Sequence, residues 1–564
     1  MAGRSGGRTA VLLGAITIFV FVAVYYGIAF TSDWGQPAGE ASTSNADKRL
    51  DRLVRRIDVT IAEPVKGIVD LAPVQVGDSL PDIEKYPVTV QPSSGSYAEI
   101  FSSTEKGGEG VDGWLAEAAQ AFNDAGIALN GERVSVKLRN IASGTAADYI
   151  RSGKYVPDAF TPSNELWGAM IQEDGIPIEL LSERLVGNVA GIVTKKAKHD
   201  ELVAKYGFVG VKTLTDALAE NELAMGYTDP FASSTGLNFL VTSLETYGGG
   251  NPLGEEAVQG FQRFQANVPF IASTTLQMRE AAKSGMLDAF VLEYQTYMNS
   301  PDLRSEYVFT PFGVRHDSPL YGLGDLTVQK RDILLSFAEF VTRERWQQEG
   351  TRKGFNGLEE YRPESKPIDG SMLAPAQKLW KEKKNGGQEV AAVFVADVSG
   401  SMDGEPLNRL KESLLAGQKV LGRENSIGLV SYSSEVRVEL PIGTYDTNQQ
   451  SMFVGAVESL RAGGETATFD GIAVAMKLLR EALVARPQAK PVIFVLSDGE
   501  TNTGHSLDDI RSLVETYRIP IYTIGYNANV EALKSISAIN EAVSMNADTD
   551  DVVYKIGNLL NAQM

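Results

Sequence analysis

Short apolar runs alternate with amphipathic stretches along most of this chain, and the first run is unlike the rest. Ala10 to Phe30 carries no charged residue, and about 21 residues of helix rise roughly 30 Å, the thickness of a bilayer core. Residues 31–47 are rich in Ser, Thr, Gly and Ala and read as a flexible spacer. From Tyr86 a βα order sets in. Val88–Gln91, Arg133–Leu138 and Asp158–Thr161 read as strands, with helices predicted over Val111–Ala125 and Thr145–Ser152. Gly187–Thr194 reads as a strand leaving this first lobe. Ala224–Tyr227, a helix from near Thr235 and the strand Ala289–Leu292 form a second lobe, and Val308–Phe312 with the helix Gln329–Thr342 returns to the first. Residues 346–388 are charged and punctuated by proline, the composition of a linker. After Glu389 the alternation resumes: strands over Val390–Ala396, Ser426–Tyr432, Val436–Leu440, Pro491–Leu496 and Ile519–Ile524, helices over Phe469–Leu483 and Leu507–Tyr517.

These shifts divide the chain into a short N-terminus (1–9), an apolar span (10–30), a linker with a short ordered segment (31–85), a first globular domain (86–350), a second linker (351–388) and a last domain (389–564). The apolar span predicts a transmembrane helix, with Tyr25, Tyr26 and Trp34 at the level of an interfacial aromatic belt. Arg4 and Arg8 ahead of it favour a cytoplasmic N-terminus, which makes this a single-pass plasma-membrane protein with its bulk extracytoplasmic. The competing reading is a signal peptide cleaved near Gly27-Ile28-Ala29, whose apolar core is ordinarily only about 7–15 residues. A basic group, Lys48, Arg49, Arg52, Arg55 and Arg56, is interleaved with Leu50, Leu53, Val54 and Ile57 and reads as the solvated face of a short helix.

The chemistry sits at strand ends. The run Val390–Ala396 closes in Asp397-Val398-Ser399-Gly400-Ser401, hard oxygen groups at alternate positions on a strand-to-helix loop, which supply part of the shell of a hard divalent cation without completing it. Gly463-Gly464-Glu465-Thr466 offers a further hydroxyl on a glycine-rich loop, and Pro491–Leu496 ends in Ser497-Asp498-Gly499-Glu500. On these residues the last ~175 positions resemble a von Willebrand factor A (VWA) domain. The resemblance implies a doubly wound, Rossmann-like fold and a metal-ion-dependent adhesion site (MIDAS) on Asp397, Ser399, Ser401, Thr466 and Asp498, at the topological switch of the sheet. It also implies that an acidic side chain of a partner protein completes the metal's shell. Magnesium follows from the ligand type, with manganese or calcium as alternatives.

The region 86–350 resembles a two-lobed, periplasmic-binding-protein-like domain, that is, an extracellular solute-binding protein similar in pattern to molybdate and sulfate receptors. The resemblance rests on Ser93-Ser94-Gly95-Ser96, Asp158-Ala159-Phe160, Tyr227 to Gly236 and Asp288 to Tyr294. Ser94, Ser233, Ser234 and Thr235 are its candidate solute-binding residues. The last three precede a helix-like run whose positive end favours a small anion or polar solute, although serine N-capping accounts for them equally well.

Composition narrows the function. A formal charge of −20 argues against a nucleic-acid partner. The absence of cysteine excludes disulfides, thiolate metal sites and a lipid-modified cysteine. His199, His316 and His505 are widely spaced and form no metalloprotease motif, and Ser103-Thr104-Glu105-Lys106 has Ser-x-x-Lys spacing without its usual companion motifs. The expectation is an α/β protein with one N-terminal transmembrane helix, a solute-binding-like module and a VWA domain. It acts without enzymatic activity as a cell-surface, metal-dependent protein-binding or adhesion protein. The alternative is a membrane-tethered solute receptor of a transport system whose VWA domain docks a partner.

Overall fold

A computed structural model describes residues 40–69, 77, 80–272, 274–282, 287–363, 369–385, 388–499, 501–526, 544–547, 556–557, 559–560 and 563–564. The apolar span 10–30 lies outside these residues, and among those described no helix is long and apolar enough to cross a membrane.

The first strand, β1 (Val59–Ile61), belongs to a sheet that the chain completes only after residue 389. Before that, β2 (Val88–Val90), β3 (Ser96–Ser102), β4 (Ala128–Leu129), β5 (Glu132–Asn140), β6 (Ala159–Thr161) and β7 (Ile178–Ser182) begin a first lobe. A second lobe holds β8 (Val189–Lys195), β9 (Met225–Thr228), β10 (Phe270–Ala272), β11 (Ala289–Glu293) and β12 (Tyr307–Arg315), and β13 (Leu320–Leu323) returns to the first. The sheet orders are β2-β5-β3-β6-β13-β7, with β4 beside β5, and β10-β9-β11-β8-β12. Parallel pairing of β3 with β5 and β6 brings the ends of β3 and β6, at Ser102 and Thr161, to one edge.

Two sequence expectations are corrected here. Val308–Phe312 does not return to the first lobe. It lies within β12, antiparallel to β8 at the edge of the second sheet, and β13 makes the return. Strand character is a local property, whereas the choice of sheet is made by tertiary pairing. Nor is 351–388 simply a linker, because Gly370–Lys383 is a helix with Leu373, Ala376 and Trp380 in the core of the first domain. Trp380 Nε1 donates to the Tyr227 hydroxyl at 2.6 Å, and Gln377 Nε2 to the Pro230 carbonyl at 2.8 Å. Lys378, Lys381 and Glu382, which look like linker, lie exposed on the helix's outer side, and the three apolar positions form a stripe too short to dominate the composition.

The third sheet comprises β14 (Val390–Asp397), β15 (Ser426–Tyr432), β16 (Val436–Thr444), β17 (Lys490–Ser497), β18 (Ile521–Tyr526) and β19 (Ser544–Ala547), in the order β1-β16-β15-β14-β17-β18-β19. β14 is buried along its whole length. Its even positions, including Phe394, pack under Glu405–Gly417 and Thr447–Ser459, and its odd positions, including Val393, pack under Thr468–Ala485 and Leu507–Tyr517. A strand covered on both faces reads as a continuous apolar run, because alternation has no solvent face to record. Phe394 stacks on Phe494 at 5.2 Å, and Phe494 on Tyr522 at 5.5 Å. Full burial of each such ring is worth about 1.5–3 kcal/mol.

Of the spacer expected over 31–47, residues 31–39 lie outside the described residues and the remainder is revised. Glu40–Val54 is a helix that inserts Ala46, Leu50 and Leu53 into the odd-side core of this last domain. Asp51 pairs with Lys477 at 2.6 Å, Asp47 with Arg480 at 3.2 Å, and β1 runs parallel to β16. The five basic residues of this helix and its end are exposed, as the sequence pattern predicts. Segments 40–61 and 390–526 thus build one domain, with the two-lobed module inserted between them.

Candidate functional site

At the centre of the third sheet, β14 and β17 are parallel neighbours, with Ala396 opposite Leu496, so Asp397 and Asp498 leave the sheet side by side. Asp397 is fully buried, Ser399 nearly so, and Ser401 is exposed. Asp397 Oδ1 accepts the Ser399 N–H at 2.8 Å, and Oδ2 accepts the hydroxyls of Ser497 at 2.6 Å and Tyr432 at 3.2 Å. Ser399 and Ser401 hydroxyls lie 3.1 Å apart, and Ser401 donates to Asp498 Oδ1 at 3.0 Å. A continuous hydrogen-bonded arc therefore runs from Ser399 through Ser401 to Asp498.

Thr466 reaches this rim through its loop. Gly464 holds φ +87°, where a side chain is strained and its Cβ would lie 2.9 Å from Ser434 Oγ. That turn lets the Gly464 carbonyl accept the Gly400 N–H at 2.9 Å. On the other side the Thr466 N–H donates to Asn502 Oδ1 at 2.8 Å, and its carbonyl accepts from the Asn502 and Thr503 N–H groups. Among the described residues no protein group hydrogen-bonds the Thr466 hydroxyl.

The electrostatics of the rim are unbalanced. Burial pushes the Asp397 carboxyl above the usual carboxylate range, hydrogen bonds from Ser399 and Ser497 pull it back, and the charge of Asp498 pushes it up again. Among the described residues no Lys, Arg or His pairs with either aspartate. Nor, among the described residues, do three or more Asp, Glu or His side chains gather there as a ready cage. Two carboxylates and several neutral oxygen donors fit a hard divalent cation, whose charge would answer both acids while open positions remain for a further ligand.

Sequence reasoning missed the partners that hold the site. Ser497 and Tyr432 hold Asp397, and Asn502 holds Thr466. Asp470 Oδ1 accepts from the His505 backbone at 3.0 Å and lies 2.6 Å from its Nδ1, which fastens the loop after β17. Ser497 was legible, since it stands one residue before Asp498 at the end of a buried strand. Tyr432 and Asn502 carry no local signal.

The candidate solute site is rearranged more deeply. Ser94 stands in the turn before β3, at the end opposite the cleft, where its hydroxyl lies 3.0 Å from that of Ser135 and donates to the Ser96 carbonyl. It does not join Ser233, Ser234 and Thr235, because the strand carries the cleft residues at its other end. The cleft is a cavity of only about 20 Å³, lined by Ser103, Glu105, Ser143, Ser163, Ser233 and Glu293 among others.

The three predicted hydroxyls there are already engaged. Ser233 caps its helix on the Gly236 N–H at 3.4 Å, Ser234 accepts Trp167 Nε1 at 2.9 Å, and Thr235 donates to Glu293 at 3.3 Å. Glu293 also takes Asn188 Nδ2 at 2.7 Å and lies 2.9 Å from His316 Nδ1. Glu105 accepts from Ser103 at 2.5 Å and Ser163 at 2.8 Å and faces Lys106, which bonds Ser103 and the Thr161 carbonyl. Burial lowers the Lys106 ammonium and raises Glu293. The Ser-x-x-Lys spacing is thus a real contact, with its lysine held by carbonyls and a carboxylate.

The family model of the von Willebrand factor type A domain matches residues 392–558. An uncharacterized protein of Synechocystis, sll0103, is 26% identical over 149 residues, covering 26% of this chain and 34% of that protein. Human inter-alpha-trypsin inhibitor heavy chain H3 is 26% identical over 148 residues, covering 24% of this chain and 16% of that protein. The chain therefore spans about a third or less of the length of these relatives. Among solved structures, a von Willebrand factor type A protein from Catenulispora acidiphila aligns with TM-score 0.29 and 19% identity over 31% of this chain and 42% of that one. The periplasmic binding protein AfuA from Actinobacillus pleuropneumoniae, with fructose-6-phosphate bound, aligns with TM-score 0.39 and 13% identity over 51% of this chain and 99% of that one. The C-terminal part of this chain carries a von Willebrand factor type A domain.

Proposed function

We propose that this protein is a non-enzymatic cell-surface receptor that binds a partner protein through a divalent cation at the C-terminal rim. Asp397, Ser399, Ser401, Thr466 and Asp498 would hold the ion, magnesium by ligand type. The bound ion supplies an electrophilic position for an acidic side chain of the partner. The observation that carries this reading is Asp397, a buried carboxylate beside a second one, with no cationic side chain among the described residues to answer either. Ser497, Tyr432 and the Ser399 N–H fix its orientation, and Asn502 fixes the Thr466 loop.

The reading includes anchoring through residues 10–30 with the bulk of the chain outside the membrane. Protease added to intact cells then removes residues 86–564 and leaves a membrane stub; full protection of that region contradicts the topology. The partner is tested by capture on the immobilised protein in magnesium and in chelator. Capture is expected in magnesium alone and in neither condition with Asp397→Ala. Capture that survives the chelator contradicts the metal's role.

The two-lobed module favours a second reading, a tethered solute receptor whose C-terminal domain docks it to a transport partner. It requires the cleft to open around a solute, since about 20 Å³ has room for little more than a water molecule.

A further inference from the structure

At the pole opposite the metal rim, the inserted module and the C-terminal domain meet around a cavity of about 310 Å³. One wall is the end of the helix Glu255–Gln265 with Ala266 and the loop beyond. The other is the start of β17 with Lys490, joined by Arg518 and by Tyr522 of β18, while Lys384 closes one side. Three cationic side chains line this space, and among the described residues no carboxylate does. In a chain of formal charge −20 such a concentration of positive charge is not a matter of composition.

Lys490 makes the case most directly. It is the first residue of a sheet-centre strand, its ammonium donates to the Ala266 carbonyl at 3.0 Å, and among the described residues it forms no ion pair. Burial alone pulls it down to about 8. Lys384 is buried too and is held down to about 7 by burial, with Asp229 of the inserted module as its main opposing charge. Ala266 caps the C-terminal end of its helix, so one Lys490 donor answers a helix carbonyl and the negative end of the dipole. An ammonium has three donors, and one carbonyl answers neither the others nor the net charge.

We propose that this seam binds a small, multiply charged oxyanion between the two modules, held by Lys490 and Arg518 with Lys384 behind them. Because Lys490 belongs to one module while Ala266 and Lys384 belong to the other, the bound anion would fasten the second lobe to the C-terminal domain. This site is separate from both the cleft and the metal rim.

The test is calorimetric titration of the whole protein with inorganic phosphate and with citrate, in a low-salt buffer free of other polyvalent anions. One saturable site is expected for at least one probe, weakening as salt is added. Lys490→Gln and Arg518→Gln should each lower its affinity about tenfold or more, as the loss of one charge-assisted contact does. Lys490→Arg should retain the affinity, and Ser233→Ala with Ser234→Ala should not change it. The proposal fails if neither probe saturates, or if binding is lost in the serine variants and kept in the lysine one. It also fails if Lys490→Gln lowers thermal stability in anion-free buffer without changing anion affinity, which would make the lysine a helix cap alone. Should Lys490→Gln not fold, Arg518→Gln on an exposed residue decides between the same outcomes.

Discussion

The metal rim of the C-terminal sheet and the cleft between the two lobes use the same materials, carboxylates and hydroxyls at the ends of buried strands, and reach opposite electrostatic states. In the cleft, Glu293 is matched by His316, Asn188 and Thr235, and Glu105 by Lys106, Ser103 and Ser163. At the rim, Asp397 has, among the described residues, neutral donors only and a second carboxylate beside it. A buried polar cluster calls for a ligand where its charge is left unanswered, and hydrogen bonding alone does not reveal that. In the cleft the charges face partners, and its hydroxyls are spent on holding each lobe's own residues, with Ser234 bridging to Trp167 of the first lobe.

The largest expected effect breaks the cleft side of this contrast. Glu293→Ala removes the acceptor of His316, Asn188 and Thr235, all fully or almost fully buried, and should cost about 3 kcal/mol in denaturant unfolding. An unchanged midpoint would mean that the network does not hold the lobes.

The next effect has the opposite sign. Because burial raises Asp397 above its ordinary 3.8, the chelated folded protein holds that proton more tightly than the unfolded chain does. The stability it contributes is full below the ordinary carboxylate value and is lost as pH rises through the elevated one. Asp397→Asn should therefore be more stable than chelated wild type above that window, read as a higher denaturation midpoint. Magnesium should close the gap from the wild-type side. Parallel pH profiles for the two proteins would show that Asp397 is not strained by its burial.

The smallest effect sharpens the assignment of Ser233. Its replacement by alanine should cost about 1 kcal/mol of thermal stability, the value of a helix cap, and leave magnesium binding untouched. A loss well under that figure would return its hydroxyl to the list of groups free for a solute.

How much was legible follows from what each signal encodes. Asp397, Ser399, Ser401 and Asp498 were readable because buried parallel strands announce their ends and the residues there are consecutive or alternate. Tyr432 and Asn502 were not, since each reaches the site from a different strand or loop by tertiary contact. The first half of the helix Glu40–Val54 was hidden by its small polar residues, and Ala46, Leu50 and Leu53 record that the helix lies on a core. Ser94 misled because a serine-rich turn after a strand looks the same at either end of a sheet, and only pairing shows which end faces the cleft.

The central claim, that the rim's unanswered charge is a cation site, is tested most directly by calorimetric titration of magnesium into the whole protein and into the Asp397→Asn, Asp498→Asn double variant. The account predicts one saturable site in the wild type, none in the double variant, and folded protein in both. Equal magnesium binding in the two proteins would contradict it.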